Sequence, residues 1–297
     1  MILIDSNQMM IANLFAIHGK NTENLSINDV RYAVLKGIKY FESRFGSEYG
    51  QIVLCFDSTN YWRTGYFPHY KASRKNRQKT SDINWNKIYN LFSMVKEEID
   101  DNFRYISVEV PTLEADDVIS AICDDVNNGS GEKILIVSSD KDFQQLQRYK
   151  NVKQYSPAHK DFLVCVDPES KLIDHIIRGD SSDGIPNVMS DGDTFVTKGK
   201  KQTIMSSKRF NTLLDKVKNG SIRDEGYEYK DNYERNEQLI DLSLIPRDYK
   251  IKTIECLKEA AKHSCTISES IEMDYIQSNN LGSLLEELTE NQTKLNI

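Results

Sequence analysis

Three short apolar runs in the first half of the chain each stop at an aspartate: MILI before Asp5, IVLCF before Asp57 and ILIVSS before Asp140. Together with 104–110, the segments at 1–5, 51–57 and 133–140 are rich in Ile and Val and read as buried parallel strands. Helical patterns lie between them. Ser26, with Asp29 three residues on, reads as the N-cap of a helix whose apolar stripe is Val30, Val34, Ile38, Phe41 and Phe45. Trp85, Ile88, Tyr89, Phe92, Val95 and Ile99 form a second stripe, and Val118, Ile119, Ile122 and Val126 a third. Strand and helix in alternation predict an α/β fold, a mostly parallel central sheet flanked by helices with right-handed crossovers. After about Asp183 the strand pattern stops, and 206–218, 231–242, 250–263 and 281–290 read as helices between polar loops. The expectation is an α/β domain over 1–184 and a smaller helical domain over 185–297. Residues 189–205 show neither period.

In an open parallel sheet the carboxyl ends of the strands form one edge, where sites assemble, so Asp5, Asp57 and Asp140 should meet although far apart in sequence. Glu114, Asp116 and Asp117 follow the 104–110 strand and open a helix. Asp142 lies two residues past Asp140, and Asp180 and Asp183 end a helical stretch. Any one of these acids is explained as a turn former or an N-cap, and Asp116 with Asp117 would suit a helix N-terminus. Nine carboxylates on one edge, however, repel one another unless cations or protons neutralise them. Oxygen ligands without well-spaced His or Cys point to Mg²⁺, with Mn²⁺ able to substitute, rather than to zinc. The five histidines read as surface or helix residues. Carboxylate-held metal pairs suit phosphodiester hydrolysis.

A net charge of −7 over 297 residues argues against a nucleic-acid partner until the charges are placed. Residues 61–80 carry six cations (Arg63, Lys71, Arg74, Lys75, Arg77, Lys79) and no acid, and 198–218 carry seven against Asp215 alone. Two basic surfaces with an acidic centre between them fit a phosphate backbone. With 39% hydrophobic and 28% charged residues the chain falls in the globular class. No run approaches the roughly 20 apolar residues of a membrane span, no signal peptide is read, and five scattered cysteines suit a reducing cytoplasm.

The acidic blocks LIDSN, VLCFD, LEADD (113–117), SSDKDFQQL (138–146) and RGDSSDGIPNV (178–188) resemble, in order and spacing, those of the flap endonuclease and 5′-3′ exonuclease family. NVKQYSPAHK (151–160) adds to the resemblance, which spans roughly 1–188. It implies a PIN-like nuclease domain with Asp5, Asp57, Asp116 and Asp140 around one ion, and Asp142, Asp180 and Asp183 around a second. Glu114 and Asp117 would support them. GYFPHYKASRKNR (65–77) is similar to the family's arch over the site, so Lys71 and Arg74 would reach the scissile phosphate, with Arg63 a weaker match. Tyr70, Lys75, Arg77 and Lys79 would hold a single strand by stacking and charge. The chain departs from the family after SDGI, where the second glycine-bearing turn of the helix-hairpin-helix is not recognisable; Lys198, Lys200 and Lys201 would still contact duplex phosphate.

The implied activity is that of a Mg²⁺-dependent, two-metal 5′-nuclease, an exonuclease and flap endonuclease with ribonuclease H-type removal of RNA primers in phage DNA replication. Its substrates would be branched, nicked or 5′-tailed DNA and RNA–DNA duplex. Its implied setting is the host cytoplasm, as a monomer, with a single-strand-binding protein or sliding clamp as possible partner and no membrane. Two alternatives stay open: a PIN-type endoribonuclease, which usually lacks the arch and the C-terminal domain, and a non-catalytic structure-specific DNA-binding protein. The end of the chain, LLEELTENQTKLNI, reads as an amphipathic helix and a polar tail.

Overall fold

Residues 1–19 and 22–283 are described by a computed structural model. Six strands, β1 (Ile2–Asp5), β2 (Ile52–Phe56), β3 (Ile106–Glu109), β4 (Ile134–Val137), β5 (Val152–Ser156) and β6 (Asp161–Leu163), form one sheet. Their order is β3-β2-β1-β4-β5-β6. The first five are parallel and β6 is antiparallel to β5. Among the described residues, three 3-10 helices and eleven α-helices accompany the sheet, the latter being α1 (Ser6–His18), α2 (Ile27–Tyr49), α3 (Trp62–Tyr66), α4 (Ala72–Lys79), α5 (Trp85–Asn102), α6 (Ala115–Asn128), α7 (Pro168–Arg178), α8 (Ser207–Lys218), α9 (Lys230–Ile240), α10 (Arg247–Ser264) and α11 (Glu269–Ser278). Among the described residues no helix is long and apolar enough to cross a membrane.

The central strands are apolar throughout because both faces of the sheet are covered. Ile2, Ile4, Ile52, Leu54, Leu135 and Val137 point into one core with α1, α2, α5 and the Tyr275–Ile276 end of α11. Leu3, Val53, Cys55, Ile134 and Ile136 point into the other, with α6 and α10. A third apolar cluster joins α7, α8 and α9 to Phe67 and Tyr70 of the basic segment. The helices past residue 184 therefore divide: α8 and α9 pack on α7, whereas α10 returns to β3 and α6.

Ser26 caps α2 as expected, its side chain accepting from Asp29 N while Asp29 accepts from Ser26 N. Strands β5 and β6 and helix α11 were not expected. β5 is hidden in sequence because a fully buried polar residue interrupts its pattern: Gln154 donates Nε2–H to the carbonyls of Ser138 and Asp140. Residues 189–205 hold neither helix nor strand and are stitched by polar bonds, such as Asn187 to Thr203 O and Thr203 N to Ser190. Apart from 281–283, the 281–290 helix and the polar tail lie outside the described residues.

Asn236 of α9 is fully buried and donates to both Ile176 O at 2.9 Å and Pro186 O at 2.8 Å, joining α9 to α7 and to the loop beyond it. Asn236→Leu removes both donors at similar volume, leaving Ile176 O without its side-chain donor and Pro186 O with only the 3.3 Å bond from Arg235. We expect a loss of about 1–3 kcal/mol in urea unfolding; an unchanged midpoint would show that the bonds do not carry this junction.

Candidate metal centre and nucleic-acid face

Register places the acids. Asp5 is the last residue of β1, opposite Cys55 of β2, and Asp57 and Asp140 follow β2 and β4 at the same edge. β1 is flanked by β2 and β4, the point where the strand order reverses, so Asp5 and Asp140 flank the natural crevice of such a sheet. Asp5 caps α1 through Gln8 N and accepts from Ser138 Oγ at 3.0 Å. Asp57 accepts from Ala115 N at 2.8 Å, fastening β2 to the start of α6. Asp140 accepts from Asp142 N at 3.0 Å, opening the 3-10 helix Lys141–Arg148.

Burial, followed by the charge of Asp57, pushes the Asp5 carboxyl up to about 7. Burial also raises Asp116 well above the usual carboxylate range, with Asp140, Glu114 and Asp5 adding to it. Asp57 is raised by burial, with Glu114 contributing. Asp5, Asp57 and Asp116 are thus shifted toward the neutral form at the edge they share with Asp140.

A second group stands beside it. The loop after α7 is tight: Gly179 has a positive φ of 67°, and a Cβ there would meet Ile185 O at 2.4 Å. Ile185 N donates back to Asp180 O at 2.7 Å, so Asp180 and Asp183 are held in one small hairpin. Asp142 joins it; burial, then Asp140, pushes its carboxyl up to about 7. His175, on the last turn of α7 and read from sequence as a surface or helix residue, lies between the two acids. It is 12% exposed, with Nε2 3.1 Å from Asp180 Oδ2 and Nδ1 3.4 Å from Asp142 Oδ1. The signal available in sequence was its place five residues before Asp180, on the helix that delivers that loop.

The basic segment does not all face solvent. Arg63 is 2% exposed and donates to both oxygens of Asp117 at 2.7 and 2.8 Å, to Glu114 at 2.9 Å and to Leu239 O at 3.0 Å. Tyr70 is 4% exposed and gives its hydroxyl hydrogen to Glu114 at 2.8 Å. Both expectations of nucleic-acid contact are therefore corrected: these side chains brace the site from behind. Asp117, fully buried, also accepts from Trp62 Nε1 at 3.0 Å, and Glu114 is taken by Arg63, Tyr70 and Lys71. The oxygens of both are engaged in the structure by these cations and donors. Although burial opposes it, Lys71 and Arg63 hold the Glu114 carboxyl below its ordinary value.

Lys71 reaches Glu114 directly and lies 3.5 Å from Asp183, while Arg74 also pairs with Asp183. Both cations thus stand over the acids, at the start of α4. The side chains of Lys75, Arg77 and Lys79 lie outside the described residues. Lys198, Lys200 and Lys201 are exposed on the polar loop before α8, and Lys200 pairs with Asp191 and Asp193.

Residues 1–174 match the family model of the 5′-3′ exonuclease, N-terminal resolvase-like domain. The ribonuclease H of Enterobacteria phage T4 is 29% identical over 251 residues, 82% of this chain and 81% of that protein. A 5′-3′ exonuclease of Buchnera aphidicola is 27% identical over 289 residues, 90% of this chain and 94% of that protein. A flap endonuclease of bacteriophage T5, solved with DNA and metal ions, superposes with a TM-score of 0.61 at 15% identity, covering 88% of this chain and 98% of that one.

In protein stripped of divalent ions, folded Asp5 and Asp142 keep their protons to about pH 7, whereas unfolded they release them near the ordinary 3.8. The native state then binds more protons across that window, so stability falls as pH rises through it. His175, raised above 6.5 by Asp180 and Asp142 against the burial penalty, acts in the same sense: its contribution is present at low pH and lost as pH climbs. The depressed groups Asp180 and Glu114 lose stability only at acid pH, outside this window. The melting temperature in chelator should therefore drop from pH 5 to pH 8, and Mg²⁺ or Mn²⁺ should flatten the dependence. A rise over the same range would contradict the crowded edge.

Proposed function

The chain belongs to the 5′-3′ exonuclease family, and from that premise we propose that it is a Mg²⁺-dependent, structure-specific 5′-nuclease acting at junctions of single and double strand. The observation that carries this reading is the gathering of the acids at one sheet edge, where burial and neighbouring carboxylates push Asp5, Asp116 and Asp142 toward protonation. The donor set fits hard divalent cations. We assign Asp5, Asp57, Asp116 and Asp140 to one ion and Asp142, Asp180 and Asp183 to a second, with Mn²⁺ able to replace Mg²⁺. Such a pair activates water and offsets charge on the attacking and leaving oxygens of a phosphodiester.

The remaining residues position the substrate. Lys71 and Arg74 offer their charge to the scissile phosphate, exchanging Glu114 and Asp183 for phosphate oxygens. Arg63 and Asp117 keep Glu114 in place behind Lys71. The exposed Lys198 and Lys201 contact duplex phosphate, and Lys200 joins them by releasing Asp191 and Asp193, since exposed ion pairs contribute little. A duplex-binding unit beginning at residue 185 holds the duplex while an α/β unit over 1–184 cuts the 5′ strand. The substrates are 5′ flaps, nicked or tailed duplex and RNA primers on DNA, removed during phage replication in the host cytoplasm by a monomer working with a single-strand-binding protein or a sliding clamp.

The test is cleavage of a 5′-labelled flap with Mg²⁺ beside single-stranded RNA alone. Wild type should cut the flap at its junction, and Asp116→Asn should bind it without cutting, because metal ligands serve the transition state while phosphate contacts position the substrate. Cleavage of the RNA alone would instead indicate an endoribonuclease, and a wild-type rate in Asp116→Asn would remove the metal-cluster reading. Lys71→Ala should lower the single-turnover rate about 100-fold or more, with affinity measured in Ca²⁺ changing only a few-fold. An unchanged rate at saturating DNA would leave Lys71 as a tether.

A further inference from the structure

His175 gives the second acid group a donor of different chemistry. One ligand atom from each of Asp142, His175 and Asp180 lies within 4.8 Å of the others. Their hydrogen bonding is unequal. Asp180 is saturated: Oδ1 accepts from Ser182 N and Oγ, and Oδ2 from His175 Nε2 and from Lys141. Asp142 is not, since its Oδ1 is buried without a hydrogen-bond partner and faces His175 Nδ1 at 3.4 Å. That distance is long for a hydrogen bond. Two ligands sharing one octahedral cation at 2.0–2.1 Å lie roughly 3.0 Å apart, so this pair has only to close by a few tenths of an ångström to share one.

We propose that His175 is an inner-sphere nitrogen ligand to the second divalent ion, binding through Nδ1 beside Asp142 Oδ1, with Asp180 as the carboxylate that fixes its tautomer. The arrangement is the usual one for a metal-binding histidine, whose far ring nitrogen donates to a carboxylate that orients it and raises its basicity. It rests on the reading of a two-ion nuclease and refines it in one respect. Asp180 acts through His175, and the site takes a nitrogen where an all-carboxylate site would take only oxygen. Imidazole favours Mn²⁺ and later transition ions over Mg²⁺, so this site prefers Mn²⁺ to the other one.

Pulsed electron paramagnetic resonance of the Mn²⁺-loaded protein reads the ligand directly. Wild type should show modulation from a coordinated ¹⁴N, changing to the ¹⁵N pattern in protein grown with ¹⁵N-histidine. His175→Gln should abolish it and weaken one of the Mn²⁺ sites about tenfold or more. The isotope exchange needs no variant, so a His175→Gln protein that failed to fold would leave the test intact. Mn²⁺ bound without nitrogen coupling, in a protein that still cuts flaps, overturns the histidine ligand and leaves the nuclease reading standing. Coupling retained in His175→Gln overturns it as well. A protein that binds no Mn²⁺ and cuts nothing overturns both.

Discussion

Electrostatic repulsion at one sheet edge is the constraint on which the rest of the architecture depends. A parallel sheet delivers its strand ends to a common line, and here that line receives Asp5, Asp57, Asp116 and Asp140, with Asp142, Asp180 and Asp183 alongside. Buried carboxylates so close together cannot all stay ionised without compensation. The chain compensates part of the charge itself. Arg63, enclosed by Trp62 and Tyr70, neutralises Asp117 and Glu114 where solvent cannot. A buried ion pair of this kind is costly to desolvate, and its value lies in fixing geometry. The forward acids keep a deficit that only protons or cations from outside can fill.

That division explains why one basic segment carries two kinds of residue. Arg63 and Tyr70 are structural, with their polar groups turned inward. Lys71, a few residues later, bridges Glu114 and Asp183, and Arg74 pairs with Asp183 beside it. The change of role coincides with Lys71, whose φ of 54° is a left-handed conformation rare for a side chain of its size. Such strain persists where surrounding contacts over-determine it, and here Lys71 N donates to Asp183 O at 2.7 Å.

Strands β1 to β4 and the aspartates after three of them were legible because both follow from short-range pattern: apolar runs, three with a carboxylate at the same end. The α2 capping box was equally legible, being local. What the sequence concealed was set by distant partners. β5 escaped notice because Gln154 stands at a core position, where its amide holds the Asp140 turn. Arg63 and Lys71 are alike in a list of cations, and only folding puts one behind Glu114 and the other in front. His175 gave no ligand spacing, since Asp142 comes to it from another segment. The return of α10 to β3 left no trace in a helical period that serves equally well for a separate unit.

Gly184 ties two of these parts together. Its φ is +76°, and a Cβ there would lie 2.9 Å from His69 O, in the turn that enters α4. The basic segment and the hairpin of Asp180 and Asp183 therefore touch backbone to backbone, with no side chain between them to absorb a mismatch. For a chimaera this makes 65–79 and 178–188 a single cassette. A foreign arch grafted onto this chain without its own hairpin would meet the wrong surface at Gly184, and exchange between relatives can preserve the fit only by moving both segments together.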